Sequence, residues 1–213
     1  MSQSAFYRGL EAAQHALARS PRVPDAEAQA VHEVTAPLLA QAAAAARVAC
    51  RSGCAACCHL PVGLQLGEAL RLAAACRHDP DLVERIATAA AATAALPWSA
   101  LAGQPCPLLR EGACAAYAAR PLACRSLTSS DAAACARGVA GTGDVPIDDV
   151  AFWLGQGAAA ALEAAQPLGP RELRSALHEL LQSPAGETEA AAAFARARAT
   201  HDARPDGPTP APL

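Results

Sequence analysis

The sequence contains no lysine, so all 17 of its basic residues are arginines. This absence excludes a Schiff-base lysine and the lysine of a Walker-type phosphate loop from the chemistry of the chain. Aromatic residues are also scarce, with three Phe, two Trp and two Tyr among 213 residues. The formal net charge is −3. A chain with no excess of positive charge and few aromatic side chains for base stacking is not expected to bind nucleic acid.

Long apolar runs are missing as well. The nearest candidate, residues 150–165, is interrupted by Gln156 and Glu163. It falls short of the ~20 apolar residues that a membrane-spanning helix needs. The N-terminal residues lack the charged start and apolar core of a signal peptide. We therefore expect a cytoplasmic protein with no membrane partner.

The sequence does contain nine cysteines, and eight of them fall into two groups. An odd number of closely grouped cysteines in a reducing compartment favours metal ligation over a disulfide framework. Zinc or an iron–sulfur cluster usually takes four thiolates, or a mixture of thiolates and imidazoles, so the two groups suffice for one or two sites. The candidate ligands are Cys50, Cys54, Cys57 and Cys58, followed by Cys106, Cys114, Cys124 and Cys135.

Four residues in or near these groups have different expected roles. Cys57 and Cys58 are adjacent, and neighbouring side chains on a regular element point in different directions. We therefore expect one of them to serve a second metal or to support the site without touching the ion. Cys76, four residues after Leu72, is expected to be a small buried hydrophobe. His59 is expected at the surface rather than on the metal.

Capping residues and prolines predict an all-α fold. Expected helices cover residues 4–19, a segment capped by Asp25 and kinked or divided at Pro37, and a short helix capped by Ser130 or Asp131. Further helices are expected at about 68–76, 80–95, 147–165, 171–182 and 187–199. Residues 96–128 contain so many prolines and glycines that no long helix fits, and loops there would fold back so that the second cysteine group reaches the first.

Two other motifs share part of this spacing. Cys50-x3-Cys54-x2-Cys57 matches the iron–sulfur loop of radical S-adenosylmethionine enzymes, and Cys54-Ala-Ala-Cys57 matches a thioredoxin-type redox pair. Both motifs belong with strands that alternate with helices. The sequence predicts no such strands, which argues against both interpretations.

The two groups resemble the motifs of the YkgJ-type cysteine-cluster proteins, which are described as a zinc- or iron-chelating family with a Cys-x-x-Cys-x-x-Cys-Cys signature. The first motif is matched by residues 50–62, and the second by Cys106-Pro107-Leu108-Leu109 followed by residues 112–125. The first motif departs from the family at one point, because three residues rather than two separate Cys50 from Cys54.

The resemblance covers roughly residues 30–200 and implies metal binding by both groups. Within the broader family, flagellin lysine N-methylases are similar in their cysteine motifs, which implies an iron–sulfur centre linked to methyl transfer. Beside the thiolates we expect Arg120 and Arg125 to offset negative charge and donate hydrogen bonds to sulfur, and Tyr117 to offer its hydroxyl.

The sequence therefore predicts an N-terminal helical segment at residues 1–29, a cysteine-cluster domain at 30–200 and a disordered tail at 201–213. The leading hypothesis is a cytosolic protein that chelates zinc or iron, as single ions or as a [4Fe–4S] cluster, at a composite site. The alternatives are an iron–sulfur enzyme such as an S-adenosylmethionine-linked protein methyltransferase, and a zinc-stapled interaction module whose helices at 147–199 face an unknown protein partner.

Overall fold

The computed structural model describes residues 2–51, 53–166, 168–183 and 187–200. Within these ranges the fold is all-α, as predicted. It also contains two short antiparallel strand pairs, Gly63–Leu64 with Arg171–Glu172 and Leu109–Arg110 with Ala113–Cys114. The helices are α1 Ser2–Leu17, α2 Pro24–Ala46, α3 Leu66–Cys76, α4 Pro80–Thr93, α5 Leu122–Ser126, α6 Ala132–Val139, α7 Asp149–Ala165, α8 Leu173–Gln182 and α9 Glu187–Arg196. The strands are β1 Gly63–Leu64, β2 Leu109–Arg110, β3 Ala113–Cys114 and β4 Arg171–Glu172.

Three helices begin at aspartate caps. The Asp79 side chain accepts a hydrogen bond from the Leu82 backbone N–H at the start of α4, and Asp131 accepts two at the start of α6. Asp148 caps α7 in the same way. Each cap satisfies backbone donors that the first turn of a helix leaves unpaired. The predicted starts of α4 and α6 are confirmed.

Helix α2 differs from its prediction in two respects. It begins at Pro24, with Val23 rather than Asp25 at the capping position. A proline fits the first helical turn because its missing N–H would have no partner there. The helix also continues through Pro37 without dividing. It ends at Ala46, where Arg47 adopts a left-handed conformation with φ of 52°.

The helices pack in two groups. In the first group α1 lies along α7, with α2 beside both, around buried residues such as Val31 and Leu162. In the second group α3, α4, α8 and α9 surround Leu72, Leu177 and Phe194. The predicted boundary between residues 29 and 30 falls inside α2, and the predicted tail at 201–213 lies outside the described residues. None of the helices in the described ranges is both long and apolar enough to cross a membrane.

Glycine allows α1 and α7 to lie in close contact. A Cβ atom added at Gly157 of α7 would lie 2.0 Å from the Phe6 carbonyl oxygen of α1. A Cβ atom added at Gly9 of α1 would lie 2.1 Å from the Leu154 carbonyl oxygen of α7. Both obstacles are backbone atoms, so neither could be relieved by a side-chain rotation. The helix pair therefore depends on the absence of a side chain at both positions.

We predict that Gly157→Ala lowers the free energy of unfolding by ~1–3 kcal/mol, because the added methyl group must push α1 away from α7. Urea denaturation followed by circular dichroism measures this change. The matched control is Ala164→Ser at an exposed position of the same helix, which should change stability by less than ~0.5 kcal/mol. Equal unfolding midpoints for the two variants would contradict the described packing of α1 on α7.

Candidate metal centre

The first cysteine group is built on a turn. Gly53 adopts φ of 83°, and residues Ala56–His59 form a 3-10 turn that carries Cys57 and Cys58. The backbone N–H of Cys58 donates to the Ala55 carbonyl at 3.0 Å. His59 is half-buried, and its Nδ1 lies 3.2 Å from the same carbonyl oxygen. The turn expected at Gly53 is thus confirmed, and it presents the two adjacent cysteines.

The second cysteine group folds back directly onto this turn. The Cys106 backbone N–H donates to the Cys58 carbonyl oxygen at 2.7 Å, and the Gly103 N–H donates to the His59 carbonyl oxygen at 2.8 Å. These two bonds join segments that lie more than forty residues apart in the sequence. The return of the proline-rich segment to the first group, expected from the sequence, is present in the structure.

A tight hairpin, which the sequence did not predict, places Cys114. Strands β2 and β3 pair with Leu109 opposite Cys114, joined by Glu111 and Gly112 at φ of 52° and 78°. Two consecutive residues with positive φ are typical of the type I′ turn, which matches the twist of a hairpin. The feature of the sequence that could have predicted this hairpin is the Glu-Gly pair between short apolar stretches. The Cβ position of Gly112 lies 3.9 Å from the Gly53 carbonyl oxygen, so the two loops meet.

Six thiols from both groups line one cavity of about 80 Å³. Arg51, Arg120, Tyr117 and apolar side chains such as Leu72 and Leu173 complete the wall. All nine cysteines are free thiols. Over the residues that the structure describes, however, no three His, Cys, Asp or Glu side chains already form a group able to hold an ion. The thiols that line the cavity are Cys54, Cys57, Cys58, Cys106, Cys114 and Cys124.

The remaining cysteines lie elsewhere. Cys76 is the last residue of α3 and is fully buried in the core, as predicted. Cys50 is exposed, and its Sγ donates to the Ser129 carbonyl oxygen at 3.8 Å. Cys135 lies on α6, which packs against the 3-10 turn. Cys50 of the first group and Cys135 of the second therefore do not line the cavity.

Cys57 and Cys58 both line the cavity and are hydrogen-bonded to each other, although consecutive residues of a 3-10 turn are rotated by about 120°. This bond lowers the pKa of the Cys58 thiol and raises that of Cys57. Both side chains are thus available to the same cavity.

Burial raises the pKa of three thiols that the second cysteine group contributes to the cavity. It raises the pKa of the Cys106 thiol to about 11, although the Leu108 backbone N–H and the Arg174 guanidinium oppose this shift. Burial also raises the pKa of Cys114 and, more strongly, that of Cys124. Removing a thiolate from water disfavours its charged form. Burial therefore favours the protonated form of these thiols, and a binding metal ion would have to displace their protons.

The side chains expected beside the thiols have different roles. The Arg120 guanidinium carbon lies 3.7 Å from the centre of the Tyr117 ring, and Tyr117 is 60% exposed. The buried Nε of Arg120 has no hydrogen-bond partner among the described residues. Arg125 does not line the cavity. It donates to the Arg120 and Ala118 carbonyl oxygens and so stabilises the backbone that carries Arg120.

A buried carboxylate fixes the helix that carries Cys124. The Oε1 atom of Glu68 accepts a hydrogen bond from the Leu122 backbone N–H at 2.7 Å and lies 3.0 Å from His32 Nε2. The Oε2 atom accepts a hydrogen bond from the Gln65 N–H at 3.3 Å. Glu68 is only 3% exposed. Its negative charge at the first N–H of α5 is favourable, because helix N-termini attract anions.

A buried ion pair fixes the loop that carries Cys106. Arg174 Nη1 lies 2.9 Å from Glu172 Oε1, and both side chains are almost fully buried. The other terminal nitrogen of Arg174 donates to the carbonyl oxygens of Gln104 and Pro105 at 2.8 and 3.2 Å. One cation thus holds the two residues before Cys106. Neither Glu68 nor Arg174 was expected from the sequence, where each occurs as an ordinary charged residue in a helix.

The site is rich in cysteine thiols, a soft donor set gathered from distant turns. Residues 49–140 match the model of the CxxCxxCC family, described as a "putative zinc- or iron-chelating domain". The match confirms the resemblance that the two cysteine motifs carry. No curated protein and no solved structure matches the chain.

We predict that Glu68→Gln lowers the free energy of unfolding by ~1.5–3 kcal/mol, the range for hydrogen bonds to buried charged groups. A carboxamide cannot accept from both the Leu122 and Gln65 N–H groups through separate oxygens. Urea denaturation of the reduced, metal-free protein measures the effect. Glu84→Gln, an exposed substitution on α4, is the matched control. If the two variants unfold at the same urea concentration, the proposed support of α5 by Glu68 is wrong.

Proposed function

We propose that this protein chelates zinc or iron through thiolates supplied by both cysteine groups. The observation that supports this most directly is the cavity whose wall contains six thiols, three from each group. The two groups are joined at that cavity by the backbone hydrogen bond from Cys106 to Cys58. Thiolates are soft ligands that select zinc and iron–sulfur clusters over magnesium or calcium.

The surroundings of the cavity fit a thiolate-bound metal. Several thiolates around one ion leave an excess of negative charge, which a neighbouring cation would offset. The Arg120 guanidinium lowers the pKa values of Cys57, Cys114 and Cys124 against larger effects that raise them. Its unpartnered Nε is a donor that a metal-bound sulfur could satisfy. On binding, the thiols would move by side-chain rotation from the wall of the cavity towards the ion.

The two metals would have different consequences. Zinc held by four thiolates would mainly stabilise the fold, since closed four-ligand zinc sites are structural. An iron–sulfur cluster would add electron-transfer or Lewis-acid chemistry. A reducing compartment such as the cytoplasm would keep these thiols available in either case. The methyltransferase and interaction-module hypotheses stay sequence-based predictions.

We expect protein purified without oxygen to contain zinc or iron, and chelator-treated protein to take up one of these metals again. Elemental analysis identifies the metal, and a visible spectrum distinguishes an iron–sulfur cluster from colourless zinc. Cys58→Ser combined with Cys124→Ser should bind less metal, whereas Cys76→Ala, which changes a core thiol, should retain the wild-type amount. A folded wild-type protein that takes up neither metal would refute the proposed function.

Arg120 provides a second test. Arg120→Gln should weaken metal binding by ~10–100-fold, the usual effect of removing a partner of the ligating atoms. Competition with a chromophoric chelator measures the dissociation constant. Arg8→Gln on the exposed surface of α1 removes the same charge far from the cysteines in sequence and should leave the constant unchanged. An equal affinity for both variants would show that Arg120 does not offset the charge of the site.

A further inference from the structure

Tyr117 and Arg120 are brought together by a short turn. Residues Tyr117–Ala119 form a 3-10 turn, and the Arg120 backbone N–H donates to the Tyr117 carbonyl oxygen at 3.4 Å. Because such a turn has three residues per turn, side chains three positions apart lie on the same side of it. The Arg120 guanidinium carbon accordingly lies over the Tyr117 ring, 3.7 Å from the ring centre. Arg120 thus contacts the face of the ring and not the hydroxyl group at its edge.

This contact leaves the hydrogen-bond donors of Arg120 available. An N–H group pointed at the ring would bring its nitrogen about 1.3 Å closer than the guanidinium carbon, which is too close for a non-bonded contact. The guanidinium therefore lies across the ring, and its N–H groups point outward in its own plane. The buried Nε of Arg120 has no hydrogen-bond partner among the described residues. The ring thus orients the cation without using its donors.

The neighbouring arginine fixes only the backbone of this turn. Arg125 donates to the carbonyl oxygens of Arg120 and Ala118. These bonds hold the main chain, whereas the Arg120 side chain has several rotatable bonds of its own, and ordering them costs free energy. The contact with the Tyr117 ring acts on the guanidinium itself.

Tyr117 and Arg120 both line the cavity that contains the six thiols. Tyr117 is nevertheless 60% exposed. A side chain with this exposure contributes little to the core, so substitutions that remove it should change stability only slightly. The position of the ring is therefore better explained by its contact with Arg120 than by core packing.

We propose that Tyr117 is a positioning residue, whose ring face holds the Arg120 guanidinium beside the cysteine cavity so that Nε can donate to a zinc-bound thiolate. The proposal rests on the chelating function proposed above. It assigns the role to the ring, in place of the hydroxyl group that the sequence analysis expected to act. Because the ring already orders Arg120 in the metal-free chain, less side-chain freedom is lost when zinc binds.

The dissociation constant for zinc, measured by competition with a chromophoric chelator, tests this proposal. Tyr117→Leu, which removes the ring, should weaken zinc binding by about two- to fivefold, the effect of losing a cation–π contact at a partly exposed site. Tyr117→Phe keeps the ring and should bind zinc like the wild type. Tyr7→Leu replaces the tyrosine of α1 that is 49% exposed and should leave the constant unchanged. Circular dichroism checks that each variant keeps the wild-type helix content.

A double-mutant cycle separates positioning from a general structural role. If the ring acts through Arg120, adding Tyr117→Leu to Arg120→Gln should weaken zinc binding no further, since the guanidinium is already absent. If the ring acts independently of Arg120, the two losses should instead multiply.

The outcomes distinguish this proposal from the proposed function. Wild-type affinity in Tyr117→Leu, an equal loss in Tyr117→Phe and Tyr117→Leu, or independent losses in the cycle would each overturn the role of the ring while leaving chelation intact. A wild-type chain that binds no zinc would also overturn the role, and the iron analysis above would then decide chelation separately.

Discussion

The rest of the structure depends on the hydrogen bonds of one buried carboxylate. Glu68 lies in the first turn of α3, bonds to His32 of α2 and caps α5 through the Leu122 N–H. It thereby connects three helices at a point that excludes water. A buried carboxylate without partners would be strongly unfavourable, so the arrangement of its partners is as constrained as that of a core side chain. The helix that supplies Cys124 therefore starts at a fixed place relative to the core.

A second buried charged group, the Arg174–Glu172 ion pair, fixes the loop that carries Cys106. Arg174, buried against Glu172, donates to the carbonyl oxygens of Gln104 and Pro105, and so fixes the backbone just before Cys106. A backbone that carries few regular hydrogen bonds must find other partners when it is buried. In this chain charged side chains of the helical core are those partners. The irregular segment is thereby ordered without long helices or strands, so that its thiols can line the cavity.

The sequence predicted the structure best where the determining interaction involves only a few neighbouring residues. Asp79 before Pro80 and Asp131 before a helix predicted their helix starts, because capping involves only neighbouring backbone groups. The grouping of the cysteines predicted that the two groups approach each other, and six of their thiols line one cavity. Long-range contacts escaped prediction. Glu68 looks like an ordinary acidic residue in a first helical turn, and only the folded chain shows that Leu122 is its partner. The hydrogen bond between Cys57 and Cys58 was not predicted either, because neighbouring side chains on a regular element point in different directions.

The arginines beside the cavity determine how a thiolate-bound metal would be stabilised. Four thiolates around a divalent ion leave two negative charges, and the chain has only arginines with which to offset them. Arg51 and Arg120 line the cavity, and the positive charge of Arg174 lowers the pKa of the Cys106 thiol. Six thiols line the cavity together with Arg51 and Arg120, so the cations that would offset the charge of a thiolate-bound metal lie beside the sulfurs that would hold it.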